Sequence, residues 1–241
     1  MSRAGGLYGG RMRRSTPGVL GMEDLVHARG DEEDPERVVA ILEPFVTDAR
    51  RARLREVIGR RLASVTAVLD RPYDPHNGAA VLRSCEAFAV QWLHVVERKG
   101  TPLAVARSVA RGAEKWVDVV CHDASGSFVA RARAQGHALV ATHPDGELEP
   151  EDLAHMPRLA LVFGNEREGI HDELFAACEA RVRVPMTGFV ESLNVSVTAA
   201  ILLYAATRGR PGDLDEPTRL RLYARGLCQS VAHAREILAV R

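Results

Sequence analysis

Leu159-Ala-Leu-Val-Phe-Gly164-Asn165-Glu166-Arg167-Glu168-Gly169-Ile170 is the stretch that decides the fold. An unbroken apolar run enters a glycine, four polar residues and a second glycine. Without alternation, such a run is a strand covered on both faces, and the glycines mark the turn that ends it. Outward from it, Val65 to Leu69, Trp92 to Val96, Val117 to Cys121, Ala138 to Ala141 and Ala180 to Val184 have the same character. They alternate with stretches of helical periodicity. Six short buried strands separated by helices predict βαβ crossovers, and so an α/β domain with a parallel sheet flanked by helices. Asp74-Pro75 supplies a cap and a first-turn proline for a helix running through Leu82 and Phe88.

The ends differ from this centre. Residues 1–43 read as a mobile N-terminal extension, which includes the acidic run Asp31, Glu32, Glu33, Asp34, Pro35, Glu36. Residues 44–64 read as an arginine-rich helix with Leu54, Val57, Ile58 and Leu62 at helical spacing, so one face packs and the other is cationic. The sheet domain occupies residues 65–210. Residues 211–241 read as a C-terminal element, with Glu216 to Val240 forming one amphipathic helix.

The chain has 241 residues, 46% hydrophobic and 27% charged, the composition of a soluble globular protein. Its 32 basic and 32 acidic side chains cancel, which ordinarily argues against a polyanionic partner. The placement weakens that argument. Asp48 to Arg61 holds six arginines against two acids, whereas Thr142 to Glu179 holds ten acids against Arg158 and Arg167. A zero sum of this kind can hide a basic face. All basic residues except Lys99 and Lys115 are arginine. Cys85, Cys121, Cys178 and Cys228 are scattered, with neither disulfide nor zinc spacing, and fit a reducing cytoplasm. The longest uncharged stretch, Ser192 to Thr207, contains Asn194, Ser196 and Thr198 and falls short of the ~18 apolar residues of a membrane span. The first residues lack the apolar centre of a secretory signal.

Ligands of open α/β sheets bind at the carboxyl ends of strands, so the loops there carry the chemistry. The loop after Phe163 has the spacing of a phosphate loop, but Ile170 and His171 stand where lysine and a hydroxyl residue would be needed. Its Glu166 and Glu168 would repel a triphosphate and suit a cationic ligand or hydroxyl and amino donors. A plain strand-to-helix turn is the alternative reading. After the last strand, Val184-Pro185-Met186 leads through Gly188 to Ser192, which can cap the apolar helix beyond it. Asn194 is polar at the start of that helix and needs a partner. Arg83 lies among small and apolar neighbours and must pair, with Glu86 within reach, or snorkel.

Together these elements resemble the SpoU/TrmH family of SPOUT RNA 2'-O-ribose methyltransferases over about Pro44 to Arg210. Asn77 with Arg83 is similar to the family's first motif, Phe163 to Gly169 to the second, and Val184-Pro-Met through Ser192-Leu-Asn-Val-Ser196 to the third. Ala113-Glu-Lys-Trp-Val117, Ala141-Thr-His143 and the arginine-bearing C-terminal helix resemble the tRNA guanosine-2'-O branch, which methylates the D-loop guanosine.

The resemblance implies a deep trefoil knot at the C-terminal end of the sheet domain, with N- and C-terminal helical extensions around it. It implies that S-adenosylmethionine is the methyl donor and S-adenosylhomocysteine the product, held by backbone around Thr142, Gly164, Val184, Met186 and Leu193. It places Arg83 on the ribose 2'-oxygen, as a base relayed through an RNA phosphate or as a cation stabilising the alkoxide. Asn77 would orient Arg83 or the ribose, with Glu166, Ser192 and Asn194 shaping the site. No metal is required, and a homodimer is implied. RNA docking falls to Arg50, Arg51, Arg53, Arg55, Arg60, Arg61, Arg208, Arg210, Arg219, Arg221 and Arg225, whose phosphate contacts would be strongly salt-dependent. Methylation of ribosomal RNA, or a non-catalytic RNA-binding assembly factor with the same fold, are the alternatives to a tRNA methyltransferase.

Overall fold

The computed structural model describes residues 33–96 and 110–240, together with a two-residue strand at Val19–Leu20 that pairs antiparallel with another at Val105–Ala106. Six strands form the central sheet: β1 (Val65–Asp70), β2 (Trp92–Val96), β3 (Asp118–His122), β4 (Ala138–Thr142), β5 (Leu159–Phe163) and β6 (Ala180–Val182). They lie side by side in the order β3-β2-β1-β5-β4-β6, every pair parallel. β1 and β5 are therefore neighbours at the centre, where the direction of winding reverses. A ligand crevice is expected there, at the carboxyl ends.

Helices cover both faces, as continuous apolar strands require. On one side α3 (Pro75–Ala87) and α6 (Val195–Thr207) pack Leu82, Cys85, Leu202 and Ala206 against Val65, Ala67 and Leu69. On the other, α4 (Ser125–Ala134) and α5 (Asp172–Ala176) pack Phe128, Ala132 and Leu174 against Val68, Ala160 and Val162. Alternate residues of β1 thus point into different cores, both of them apolar.

The two chain ends form one helical unit. α1 (Pro35–Leu42) and α2 (Asp48–Gly59) pack with α7 (Glu216–Ser230) and α8 (Ala234–Val240) through Val38, Leu42, Leu54, Ile58, Leu222, Leu227 and Leu238. The reading of residues 1–43 as a mobile extension is corrected for residues 35–43, since α1 begins at Pro35 and buries Val38 and Leu42. Its signal is the one recognised at α3: Asp34 caps by accepting from the Glu36 amide at 3.2 Å, and Pro35 occupies the first turn. The reading of Asp31 and Glu32 as part of an acidic tail lies outside the described residues. The C-terminal element is also two helices, separated at His233, whose φ of 57° breaks the helix.

Buried charge ties this unit to the sheet edge. On β3, Asp118 accepts from Arg225 and from Arg221, each at 2.8 Å. Arg61 lies 3.7 Å from Glu86, and burial pushes its pKa down. Among the described residues no helix is long and apolar enough to cross a membrane.

Candidate functional site

A cavity of about 670 Å³ opens at the carboxyl ends of β4, β5 and β6. Thr142, Gly164, Val184, Met186 and Leu193 all line it, as do Glu166, Ser192 and Asn194. The structure thus brings together the five candidate cofactor residues and three of the five candidate catalytic residues.

The cavity loop has internal ties. Asn165 and Gly169 exchange both backbone hydrogen bonds, at 3.0 and 3.1 Å, which closes the loop at its neck. The Asn165 Oδ1 inside it accepts from the amides of Arg167 and Glu168 at 3.0 and 2.9 Å. Gly169, at φ 69°, takes the left-handed turn this closure needs. Gly164 is required for space: a Cβ there would overlap the backbone of Gly169 and lie 2.5 Å from Ile170 N.

Three polar side chains from distant parts of the sequence meet at the cavity edge. Asn194 donates from Nδ2 to Asn77 Oδ1 at 3.1 Å, and Asn77 donates from its Nδ2 to Glu166 Oε1. The other end of Asn194 is also engaged, with Oδ1 accepting from the Ser196 amide at 2.8 Å and from Ser196 Oγ at 2.6 Å. Asn194, and not Ser192, is therefore the cap of α6. Ser192 is left lining the cavity.

Arg83 is not part of this group. It lies six residues beyond Asn77 on α3, roughly 9 Å along the axis and about 120° around it. Exposed there, it lines a second cavity of about 440 Å³ with Arg50, Glu86, Arg111, Lys115, Trp116 and Gln229, which shares no residue with the first. Glu86, the expected partner of Arg83, is instead the counter-ion of buried Arg61. Sequence reasoning missed this cavity because it is built from four separated segments.

The candidate RNA-binding arginines divide in the same way. Arg50, Arg53, Arg55, Arg60 and Arg208 are exposed, although Arg53 and Arg60 share Glu56 and Arg55 reaches Glu43. Arg51 pairs with Asp48, a hydrogen bond that raises its pKa. Arg219 is half-buried on α7. Arg61 and Arg225 are 2% and 1% exposed, so neither presents its guanidinium to a partner. Arg221 is held by Asp118, and Arg210 donates to the carbonyls of Leu153, Met156, Pro157 and Ala206. Arg61, Arg221 and Arg225 join the helical unit to the sheet domain, and Arg210 ties the end of α6 to residues 153–157 within that domain. An arginine count cannot separate an inward guanidinium from an outward one.

The residues around the first cavity fit S-adenosylmethionine. Glu166, Glu168, Asp172 and Glu191 outnumber Arg183 and His143 in its lining, which favours a sulfonium cation and disfavours phosphate. Ile170, Phe175, Val182, Val184, Met186 and Leu193 add the apolar surface an adenine ring needs. Among the described residues no cluster of His, Cys, Asp and Glu could hold a metal ion.

Residues 64–204 match the SpoU rRNA methylase family. The chain is 34% identical over 162 residues to the tRNA (guanosine(18)-2'-O)-methyltransferase of Escherichia coli, covering 67% of this chain and 70% of that protein. Its structure resembles that of a TrmH/SpoU tRNA modifying enzyme of A. aeolicus, with a TM-score of 0.68, 27% identity and coverage of 77% and 98% of the two chains. It also resembles a SpoU methyltransferase from Streptomyces viridochromogenes in complex with AdoMet, with a TM-score of 0.55, 28% identity and coverage of 64% and 63%.

Proposed function

Because the chain belongs to the SpoU rRNA methylase family and is an S-adenosylmethionine-dependent methyltransferase, we propose that it methylates the ribose 2'-hydroxyl of guanosine 18 in the D-loop of tRNA. The observation that carries this reading is the Asn194–Asn77–Glu166 chain of hydrogen bonds at the mouth of an acid-lined cavity. The bound cofactor supplies an electrophilic methyl group on a positive sulfur. Gly164, Thr142, Val184, Met186 and Leu193 bind it, and the carboxylates of the lining favour its charge. Asn77, Asn194, Glu166 and Ser192 position the ribose at the cavity mouth. Holding the reacting oxygen in place is a large part of the required acceleration.

RNA backbone is held at the second cavity. Arg50, Arg83, Arg111 and Lys115 line it together, a cluster of cations that favours phosphate. Arg53, Arg55, Arg60, Arg208 and Arg219 extend the cationic surface. For Arg83 to act on the 2'-oxygen, as base or as alkoxide stabiliser, the two cavities must face one another across two copies of the chain. A homodimer is therefore part of this reading. Its support is the exposure of the apolar side chains Phe189, Val190, Val197 and Tyr204 on α6 and the loop before it.

A trefoil knot in the segment from β5 to α6 is also part of the reading. Its support is the way residues 143–148 wrap β6: His143 N donates to Val182 O, Leu148 N to Arg181 O and Arg183 N to Leu148 O, each at 3.0 Å. A Cβ on Gly146 would come within 2.6 Å of the Val182 carbonyl carbon, so this wrap requires glycine. The methyltransferase domain is residues 65–210, with the flanking helices as its RNA-docking extension. Four free cysteines fit a cytoplasmic location.

The test offers tRNA transcripts and ribosomal RNA fragments with labelled cofactor and maps the product by mass spectrometry. A single 2'-O-methylguanosine in the D-loop is expected. Labelling of ribosomal fragments alone would overturn the tRNA assignment, and cofactor binding without transfer to any RNA would favour the assembly factor.

A further inference from the structure

Asp70 ends β1 beside the cavity loop, 1% exposed, and no step so far uses it. Its Oδ2 accepts from the His171 amide at 2.6 Å, across 101 residues of sequence. Its Oδ1 is buried with no hydrogen-bond partner, and so is Arg71 Nε, 4.0 Å away. A buried carboxylate with one oxygen unused is a costly way to hold a single amide, since a neutral acceptor would serve a merely structural contact. What the charge adds is a short, strong bond to one chosen point of the loop.

That point is where the loop leaves the cavity. All of Gly164 to Ile170 except Arg167 lines the cavity, and His171 is the cap residue from which α5 carries Asp172 and Phe175 into the same lining. The loop's beginning is already fixed, because β5 pairs with β1 along its whole length. The Asn165–Gly169 pairing closes the neck, and Ile170 just beyond it packs against the core beneath α4 and α5. Two exposed contacts steady its tip: Tyr73 Oη donates to Glu168 at 3.2 Å, and Asn77 reaches Glu166. The Asp70 contact is the one of the three with a buried side chain.

We propose that Asp70 is a positioning residue for cofactor binding, fixing the exit of the Gly164–Ile170 loop through the His171 amide. The proposal rests on the first cavity being the cofactor site. Burial holds the Asp70 carboxyl above its ordinary pKa, with the His171 hydrogen bond and Arg71 opposing that rise.

The test measures S-adenosylhomocysteine affinity by calorimetry, and amide hydrogen exchange without ligand, for wild type, Asp70→Ala and Asp70→Asn. Asp70→Ala is expected to weaken affinity at least about tenfold and to speed exchange across residues 164–172, leaving protection in α1, α2 and α7 unchanged. Asp70→Asn keeps an acceptor oxygen and is expected to recover part of the affinity. Wild-type affinity in Asp70→Ala would overturn the proposal. So would a loss of protection spread evenly over the chain, because that is the signature of a structural role. If wild type itself fails to bind S-adenosylhomocysteine, the cofactor-site assignment fails instead.

Discussion

Asn194 Nδ2 and Asn77 Oδ1 meet at 3.1 Å, joining the cap of α6 to the first turn of α3 across 117 residues of sequence. One side chain thus caps a helix with its oxygen and bonds across the edge of the first cavity with its nitrogen. The two roles can be separated. Asn194→Ser keeps a capping oxygen but is too short to reach Asn77. We expect unchanged thermal stability and a fall in kcat of about a hundredfold, the scale of a misplacement of about 1 Å. Asn194→Ala should lose about 1 kcal/mol of stability in addition, from the lost cap. Full kcat in Asn194→Ser would remove this residue from the site.

Gly164→Ala tests the shape of the cavity loop. The added methyl group overlaps the backbone of Gly169, which cannot yield as a flexible side chain would. The loop must move outward, and titration with S-adenosylhomocysteine should show affinity reduced by more than about tenfold. Gly169→Ala adds a methyl group in open space, but at a φ of 69° it should cost about 1 kcal/mol through backbone strain.

Arg225→Ala removes one of the guanidinium groups bonded to the buried Asp118 carboxylate and leaves Arg221 beside it. Breaking one side of such a pair should destabilise the protein by about 3–5 kcal/mol, measured by urea unfolding at neutral pH. Arg50→Ala removes an exposed side chain bonded to Ser230 Oγ and should change stability little. It should instead weaken tRNA binding and reduce the slope of log affinity against log salt by about one.

The acid limb of stability should report a buried histidine pair. His94 Nδ1 lies 2.9 Å from His122 Nε2, and burial pushes the His94 pKa down to about 3 and lowers that of His122. A histidine whose folded pKa lies below its unfolded value near 6.5 costs nothing above pH 6.5. As pH falls below that, the unfolded chain gains a proton that the folded chain refuses. Each such group then removes about 1.4 kcal/mol per pH unit until its folded pKa is reached. Between pH 7.5 and 5, His94→Gln should lose about 2 kcal/mol less stability than wild type. Equal losses would show that His94 is protonated in the folded protein.

The strands were legible because a parallel sheet imposes a local signature. Val65 to Leu69, Trp92 to Val96 and Leu159 to Phe163 each need apolar residues on both faces, and that need is written consecutively. The cap of α3 was equally local, with Asp74 accepting from the His76 amide at 2.8 Å. The same Asp-Pro signature at Asp34-Pro35 was hidden within an acidic run, because a run of charges looks alike whether one member caps a helix or all are solvated. Ser192 was the expected cap of α6, and the path of the loop gives that place to Asn194 instead.

The sequence alone determined the α/β class, the family motifs and the loops that line the cavity, because each depends on residues within a few positions of one another. The tertiary structure decided which charges face outward. Arg61 and Arg225 are indistinguishable from Arg50 and Arg60 in a list of residues, yet burial against Glu86 and Asp118 makes them part of the scaffold. It also decided that Arg83 and Asn77, six residues apart, part ways, Arg83 lining the second cavity while Asn77 bonds to Glu166 and Asn194 at the edge of the first. The physical reason is the same in both cases. The direction of a side chain is set by the packing of its helix, and that packing is a sum over contacts distant in the chain.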